Sequence, residues 1–462
     1  MTLSALEPLT TAIRKREQLA RQEHLDGVHF DSRYGPVAHR LRVNLKSANP
    51  VESIVAMFMP SARNWNEMMY EPAGCWPLPI NRGDEYAFVI KIPAVAIKAA
   101  CRGCPLELSV FRAVTPEGVM LAITLRVADD PGAALMLSSG LRHHEEQTAL
   151  DHIVRDGRTI MIFCDEASRP VARGTCTLSA EECRTAAELL EFPGSRYAGQ
   201  WIPLIDTILD EIQGHSDPAL AVPPVYAPQV TTVPLSLFDI ETFRITTVGL
   251  NGEAHSFQID QPDEGYGLEQ SSWHLLERLF TGHIVHSPHV GTGDDRRELT
   301  DILAFGELGL CLFECKAASV LSTDLLRTTD RRVRNIEKQI DKGISQICGA
   351  SREIVRGSEI TTASGSAFCI PSNVRDVRFG VVMVSELHPS LDWRTVFQRL
   401  RQASKDSGTV ISILDLRELR TIVGVSKDDA NTFLAYLLHR FEVASASQHA
   451  HIRFALDGPH LP

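Results

Sequence analysis

Residues 267–316 read GLEQSSWHLLERLFTGHIVHSPHVGTGDDRRELTDILAFGELGLCLFECK, and the end of this stretch decides the fold. Two short apolar segments lie back to back there. ELTDILAF carries Asp301, and LGLCLFECK carries Glu314 and Lys316. A turn at Gly306 and Gly309 separates them, so both are predicted as strands. Residues two apart on a strand share a face, which puts Glu314 beside Lys316 with Leu308, Leu310 and Leu312 before them. Gly309, Cys311 and Phe313 make the other face apolar as well, as in a central strand covered on both sides.

A carboxylate and an ammonium at the end of such a strand are costly unless they pair or hold an ion. Asp301 on the neighbouring strand can meet Glu314 across the sheet. Two carboxylates, a backbone carbonyl and waters make an all-oxygen site suited to Mg²⁺ or Mn²⁺. Lys316 then sits where it orients an attacking water and offsets charge at phosphorus. The plainer alternative is a buried Glu–Lys ion pair at a strand end.

Asp301 followed by Glu314-x-Lys316 on adjacent strands, behind an acidic helix, resembles the PD-(D/E)XK nuclease superfamily. Its Mrr-type restriction endonucleases and nuclease-related (NERD) domains are the nearest in pattern. Those families open with a glycine, a glutamate and a double-leucine helix. Here Gly267, Glu269, Leu275 and Leu276 stand in that order. The resemblance covers about residues 265–440, and Thr300 stands where the superfamily name has proline. It implies a restriction-endonuclease-like α/β core, a central mixed sheet flanked by helices, that hydrolyses phosphodiester bonds. Glu269, Asp301, Glu314 and Lys316 are the expected catalytic residues, with Asp301 and Glu314 on the metal. Glu269 would hold metal-bound water or a second ion. Glu277, which shares a helix side with Trp273 and Phe280, is the competing helix carboxylate.

The chain has 462 residues, enough for two or three domains. Its net charge of −12 argues against a uniformly basic surface but leaves room for a local basic cleft. Ten scattered cysteines, among them Cys164, Cys311 and Cys315 in apolar runs, read as free thiols of a reducing compartment. The N-terminus lacks a signal-peptide form and no apolar run reaches membrane-spanning length, so a cytoplasmic protein with no membrane partner is expected.

The first half, 1–213, is predicted as a β-rich α+β recognition or regulatory domain. A polar helix over 5–24 precedes strand-like runs: HRLRVNL, VESIVAMFM, EYAFVIKI, LELSVFRAV, GVMLAITLRVA and RTIMIFCDE. Cys101 and Cys104 supply only two of the four ligands a structural zinc needs. Ser179 and Glu182 have capping-box spacing and open a helical stretch. Residues 214–236, with Pro218, Pro223, Pro224, Pro228 and Pro234, read as an extended linker.

The nuclease-like half is expected over 237–462, entered by a hairpin around Asn251–Gly252. His283, His286 and His289 fall at odd spacings that point to opposite strand faces, so they read as structural or substrate-facing rather than as ligands. A long helix over about 329–356 buries Ile336, Ile340, Ile344 and Ile347. Its Arg331, Arg332, Arg334 and Lys338 are candidate phosphate contacts. The resemblance also implies a glutamine of the site on this helix, for which Gln339 and Gln346 are both available, with Gln346 preferred. The null for its charges is a solvated face with Asp330, Glu337 and Asp341 as i,i+4-type partners. Strands and helices then alternate to the end.

The expected activity is Mg²⁺-dependent cleavage, of DNA before RNA. By analogy the setting is bacterial or archaeal defence against foreign DNA, with a helicase or ATPase as separate partner, since the chain has no G-x-x-x-x-G-K-[ST] loop. A homodimer would supply two sites for two strands. The rival readings are a catalytically silent nuclease fold that binds nucleic acid or a partner, and a structural ion pair on another α/β fold.

Overall fold

A computed structural model describes Met68, Glu71 and residues 73–452, apart from 81–82, 131–133, 193–195, 198–200, 202–203, 206, 210–225, 249–253 and 318–327. The helix expected over 5–24 and the runs HRLRVNL and VESIVAMFM lie outside the described residues. So does the stretch 214–225.

In the first half, β1 (Gly74–Ile80), β2 (Glu85–Lys91) and α1 (Ala94–Cys101) lead into the hairpin of β3 (Leu106–Thr115) and β4 (Gly118–Val127). Next come β5 (Leu135–Gly140), α2 (His144–Asp156), β6 (Arg158–Cys164), β7 (Pro170–Leu178), α3 (Ala180–Leu190) and β8 (Gln229–Thr242). The eight strands form one sheet in the order β1-β2-β6-β7-β8-β3-β4-β5. Only β2 and β6 run parallel. The sheet curls until its edge strands meet, with the Cys75 N–H in β1 donating to the Ser139 hydroxyl in β5 at 3.0 Å. Ser179 is the N-cap of α3, but its hydroxyl makes no cap bond.

β8 corrects the linker. Residues 229–236 do not form a spacer; they pair with β3 and, from Leu235 onward, with β7. Pro234 fits because the β7 ladder ends at Leu178 opposite Leu235, so at the proline the strand has a neighbour on one side only. The hairpin of β9 (Arg244–Val248) and β10 (Ala254–Gln258) follows. It leads into the second half, as expected, but packs on the first half's core, where Ile245, Phe257 and Ile259 are buried.

The second half opens with α4 (Glu264–Leu276), β11 (Ile284–His286), β12 (His289–Val290) and β13 (Arg297–Glu298). After them come β14 (Ile302–Gly306), β15 (Gly309–Lys316), α5 (Thr329–Arg356), β16 (Ile360–Thr361) and β17 (Arg378–Val384). The last elements are α6 (Trp393–Ser407), β18 (Thr409–Asp415), α7 (Leu416–Ser426) and α8 (Ala430–Ser447). Five strands make a mixed sheet in the order β11-β14-β15-β17-β18, antiparallel to β15 and parallel beyond it. Strand alternation gives each face its own core. Leu310, Leu312 and Val382 pack with α5 and α6, while Cys311, Phe313 and Val381 pack with α4, α7 and α8. The result is a three-layer α/β unit. No helix among the described residues is long and apolar enough to cross a membrane.

The halves are joined by buried charge. Arg332 in α5 pairs with Asp129 at 3.1 Å and with Glu386. Asp130 accepts from Thr329 Oγ1 at 2.5 Å and from His388 Nε2 at 3.0 Å. Lys98 of α1 pairs with Glu264 of α4 at 2.6 Å.

Candidate active site

The hairpin of β14 and β15 builds the site. Gly306 pairs with Gly309 across a two-residue turn, and Ile302 pairs with Phe313. Asp301, just before β14, therefore lies beside the end of β15. Its Oδ2 accepts the Cys315 backbone N–H at 2.5 Å. Glu314 and Lys316 extend past Leu310 and Leu312 on the α5 side of the sheet. Lys316 Nζ lies 2.7 Å from Glu314 Oε2 and 3.4 Å from Asp301 Oδ2, so one ammonium joins both carboxylates. Thr300, just before Asp301, donates to the Phe313 carbonyl at 2.7 Å and ties the two strands where the acids emerge.

Burial dominates the electrostatics. The Glu314 side chain is 1% exposed. Desolvation, then the neighbouring Asp301, pushes its carboxyl up to about 7 against the pull of Lys316. Asp301 is also raised, first by burial, then by Glu269 and Glu298, although Lys316 and the Cys315 N–H pull it down. Burial alone would lower Lys316, but Glu314 and Asp301 outweigh it and hold the ammonium above its ordinary range. Burial thus favours the protonated form of both acids, and Lys316 offsets only part of that cost.

Glu269 reaches the site from α4. Its Oε1 is 2.5 Å from His286 Nε2, and the Ser287 hydroxyl lies 3.5 Å from the same oxygen. The His286 ring stands edge-on to Trp273 at 5.4 Å. Glu277, the competing carboxylate, is buried near His274, at 3.5 Å from its Nδ1. The field on Asp301 comes from Glu269 and not from Glu277 among its leading causes. Sequence reasoning passed over His286, which it treated as structural or substrate-facing. Only the sheet pairing reveals it: β11 lies directly against β14, with His286 opposite Ile302. His283 instead packs against Phe305 at 4.7 Å, and His289 sits in β12.

Comparisons with known families, with curated proteins and with solved structures gave no match. The site is therefore read from its own geometry. Among the described residues no three His, Cys, Asp or Glu side chains are grouped as a ready metal cluster. The donor set at Asp301 and Glu314 is two carboxylates, and hard divalent cations take one or two carboxylates with waters completing the shell. Burial raises both carboxyls and the Lys316 cation pulls both down, so further positive charge beside them is favoured and these residues fit such an ion.

The basic helix is only partly available. Arg331, Arg334, Lys338 and Gln346 are exposed. Arg332 is a correction: its guanidinium is spent on Asp129 and Glu386 at the junction of the halves, not on an open surface. Glu337 and Asp341 pair with Arg399 of α6 at 2.7 and 2.6 Å rather than with basic residues on their own helix.

Proposed function

We propose that the protein is a divalent-metal-dependent nuclease that hydrolyses phosphodiester bonds, with DNA as the favoured substrate. One observation carries the reading: Asp301, Glu314 and Lys316 meet within ion-pair distance at adjoining strand ends. That grouping is what the D…E-x-K pattern requires, and it supports a restriction-endonuclease-like assignment of the second half. In this reading Asp301 and Glu314 hold Mg²⁺ or Mn²⁺. A bound ion supplies Lewis-acid polarisation of a phosphoryl oxygen and a more acidic water.

The chain's own groups do the remaining work. Lys316 stays protonated because its two acids outweigh its burial, so it acts as a cation and not as a base. It orients the attacking water and offsets the charge that grows on the phosphoryl oxygens. Arg331, Arg334 and Lys338 on α5 form a basic edge for the flanking phosphates, a contact that tolerates any sequence. The first half serves recognition or regulation. A defence setting, a separate helicase or ATPase, and a homodimer that pairs two sites are proposed with it on resemblance alone.

The test is direct. Purified protein is incubated with supercoiled plasmid, linear DNA and RNA, with Mg²⁺, Mn²⁺ or EDTA, beside Lys316→Ala. Metal-dependent cutting that the variant loses supports the nuclease. If no substrate is cut, and calorimetry detects no Mg²⁺ or Mn²⁺ binding, the fold is a binding module instead.

A further inference from the structure

Three strand ends line up at this edge of the second sheet: the end of β11 with His286, the start of β14 with Asp301, and the end of β15 with Glu314 and Lys316. Alternation sends their side chains to different sides. Glu314 and Lys316 follow Leu310 and Leu312 toward α5, whereas His286 follows Ile284 toward α4 and Trp273. Asp301 alternates with Ile302 and so lies on the α5 side beside Lys316, 3.4 Å from its Nζ, while its charge also reaches His286.

His286 is held as a reactive imidazole is held. Its Nε2 is fixed on the Glu269 carboxylate at 2.5 Å, and its ring is pinned by Trp273. The opposite nitrogen, Nδ1, takes no partner among the described residues, and the side chain is 28% exposed. The next residue, Ser287, has φ of 45°, a left-handed conformation that a non-glycine residue adopts at a cost. Its N–H donates to the Asp301 carbonyl at 2.8 Å, so the strained turn locks His286 and Asp301 into one frame. A carboxylate on one imidazole nitrogen fixes the tautomer, stabilises the imidazolium and leaves the other nitrogen to handle a proton.

We propose that His286, backed by Glu269, is the general acid that protonates the leaving oxygen of the phosphodiester; this rests on the nuclease reading above. In-line displacement needs attack and departure on opposite sides of phosphorus. Lys316 points to the α5 side of the sheet edge and His286 to the α4 side, so a phosphate seated across that edge meets them from opposite sides. Water oxygen bonds to phosphorus as the bond to the leaving deoxyribose oxygen breaks. That oxygen takes the Nδ1 proton, the attacking water gives its proton to solvent, and solvent reprotonates the neutral imidazole. Burial opposes the imidazolium, but the Glu269 hydrogen bond and the fields of Glu269, Glu298 and Asp301 hold its pKa above the ordinary value. The carboxylate on Nε2 thus favours the charged form.

The experiment compares wild type, His286→Gln, His286→Asn and Lys316→Ala on duplex DNA and on bis(p-nitrophenyl) phosphate, each with Mg²⁺ or Mn²⁺. Nitrophenolate leaves without a proton. Both His286 variants should lose about 100-fold or more in kcat on DNA with KM little changed, and keep the wild-type rate on the nitrophenyl ester. Lys316→Ala should lose both. Circular dichroism selects whichever His286 variant is folded. Equal loss on both substrates, or full activity on DNA, overturns the acid role and leaves the nuclease standing. If the wild type cuts DNA but not the ester, the pH profile decides. An alkaline fall in kcat that disappears in the variant supports the acid, and an unchanged profile overturns it. A wild type that cuts nothing removes the nuclease reading, and this inference with it.

Discussion

At the residue scale, the centre is a set of charges that burial makes expensive. Asp301→Ala, Glu314→Ala or Lys316→Ala should each lower cleavage at least about 100-fold while leaving the far-ultraviolet circular dichroism unchanged, because each removes a positioned charge from the reacting centre. Wild-type cutting by any one of them would remove it from the site. Away from the centre, Glu166 is a clean probe of linkage. Its Oε1 accepts the Ala94 N–H at 3.2 Å, and burial, then Asp165, pushes its carboxyl up to about 7. A raised carboxyl favours the protonated folded state. Its contribution is full below about 4.5, the ordinary value, and is lost as pH rises through about 7. Lys91, lowered to about 7 chiefly by burial and next by Arg420, has the opposite sign. Its slope lies above about pH 7, outside the window of Glu166, whereas Glu314, also raised to about 7, shares the window, so the comparison with the variant isolates Glu166. Between pH 5 and 7, Glu166→Gln should remove a decline of up to about 1.4 kcal/mol per pH unit, read from urea midpoints. Parallel pH curves for the two proteins would show that Glu166 carries no such charge penalty.

At the element scale, α5 matters because it lies directly on β15, which carries Glu314 and Lys316, and on its neighbour β17. A Cβ on Gly343 would stand 2.6 Å from Val382, and one on Gly380 in β17 would stand 2.5 Å from Ile347. Those two glycines let the helix approach the sheet, and they keep Ile340, Ile344 and Ile347 in the core. Gly343→Val should destabilise by about 1–3 kcal/mol through overpacking, measured by urea unfolding. An unchanged midpoint would mean that helix and strand separate freely. The stripe of α5 was legible in the sequence because a 3.6-residue period is local. The partners of its acids were not, since Arg399 arrives from another helix. α7 (Leu416–Ser426) and α1 (Ala94–Cys101) escaped notice for a related reason. Each follows a strand with at most two residues between, so its apolar residues merge into the strand signal.

At the scale of the whole molecule, the two halves share a polar seam. Asp130 is 2% exposed and receives Thr329 and His388, while Arg332 lies 3.6 Å away. Thr329 is the first residue of α5, just past the segment that follows Lys316. The first half thus holds one end of the chain that leaves the candidate site. Asp130→Ala leaves buried partners unmet and should cost about 3–5 kcal/mol in the second half's unfolding transition. Loss of that order confined to the first half would show that the seam does not brace the second. The misplaced linker belongs to this scale too. Prolines at 218–234 predict extended chain, and extended chain is what β8 is, but only the gap in the β7 ladder decides that Pro234 enters a sheet.

The sequence by itself determined what depends on neighbours along the chain. It determined the hairpin that carries Asp301, Glu314 and Lys316, the long helix after it, and the alternation of strands and helices that follows. Apolar period and turn residues are local signals, and residues two apart on a strand share a face by geometry alone. Tertiary structure decided what depends on distance through space. It joined β8 and the hairpin of β9 and β10 to the first core, turned Arg332 inward to Asp129, and set His286 on Glu269 across seventeen residues of sequence. No local pattern encodes such pairings, because a buried charge takes whichever opposite charge the packed elements bring within reach.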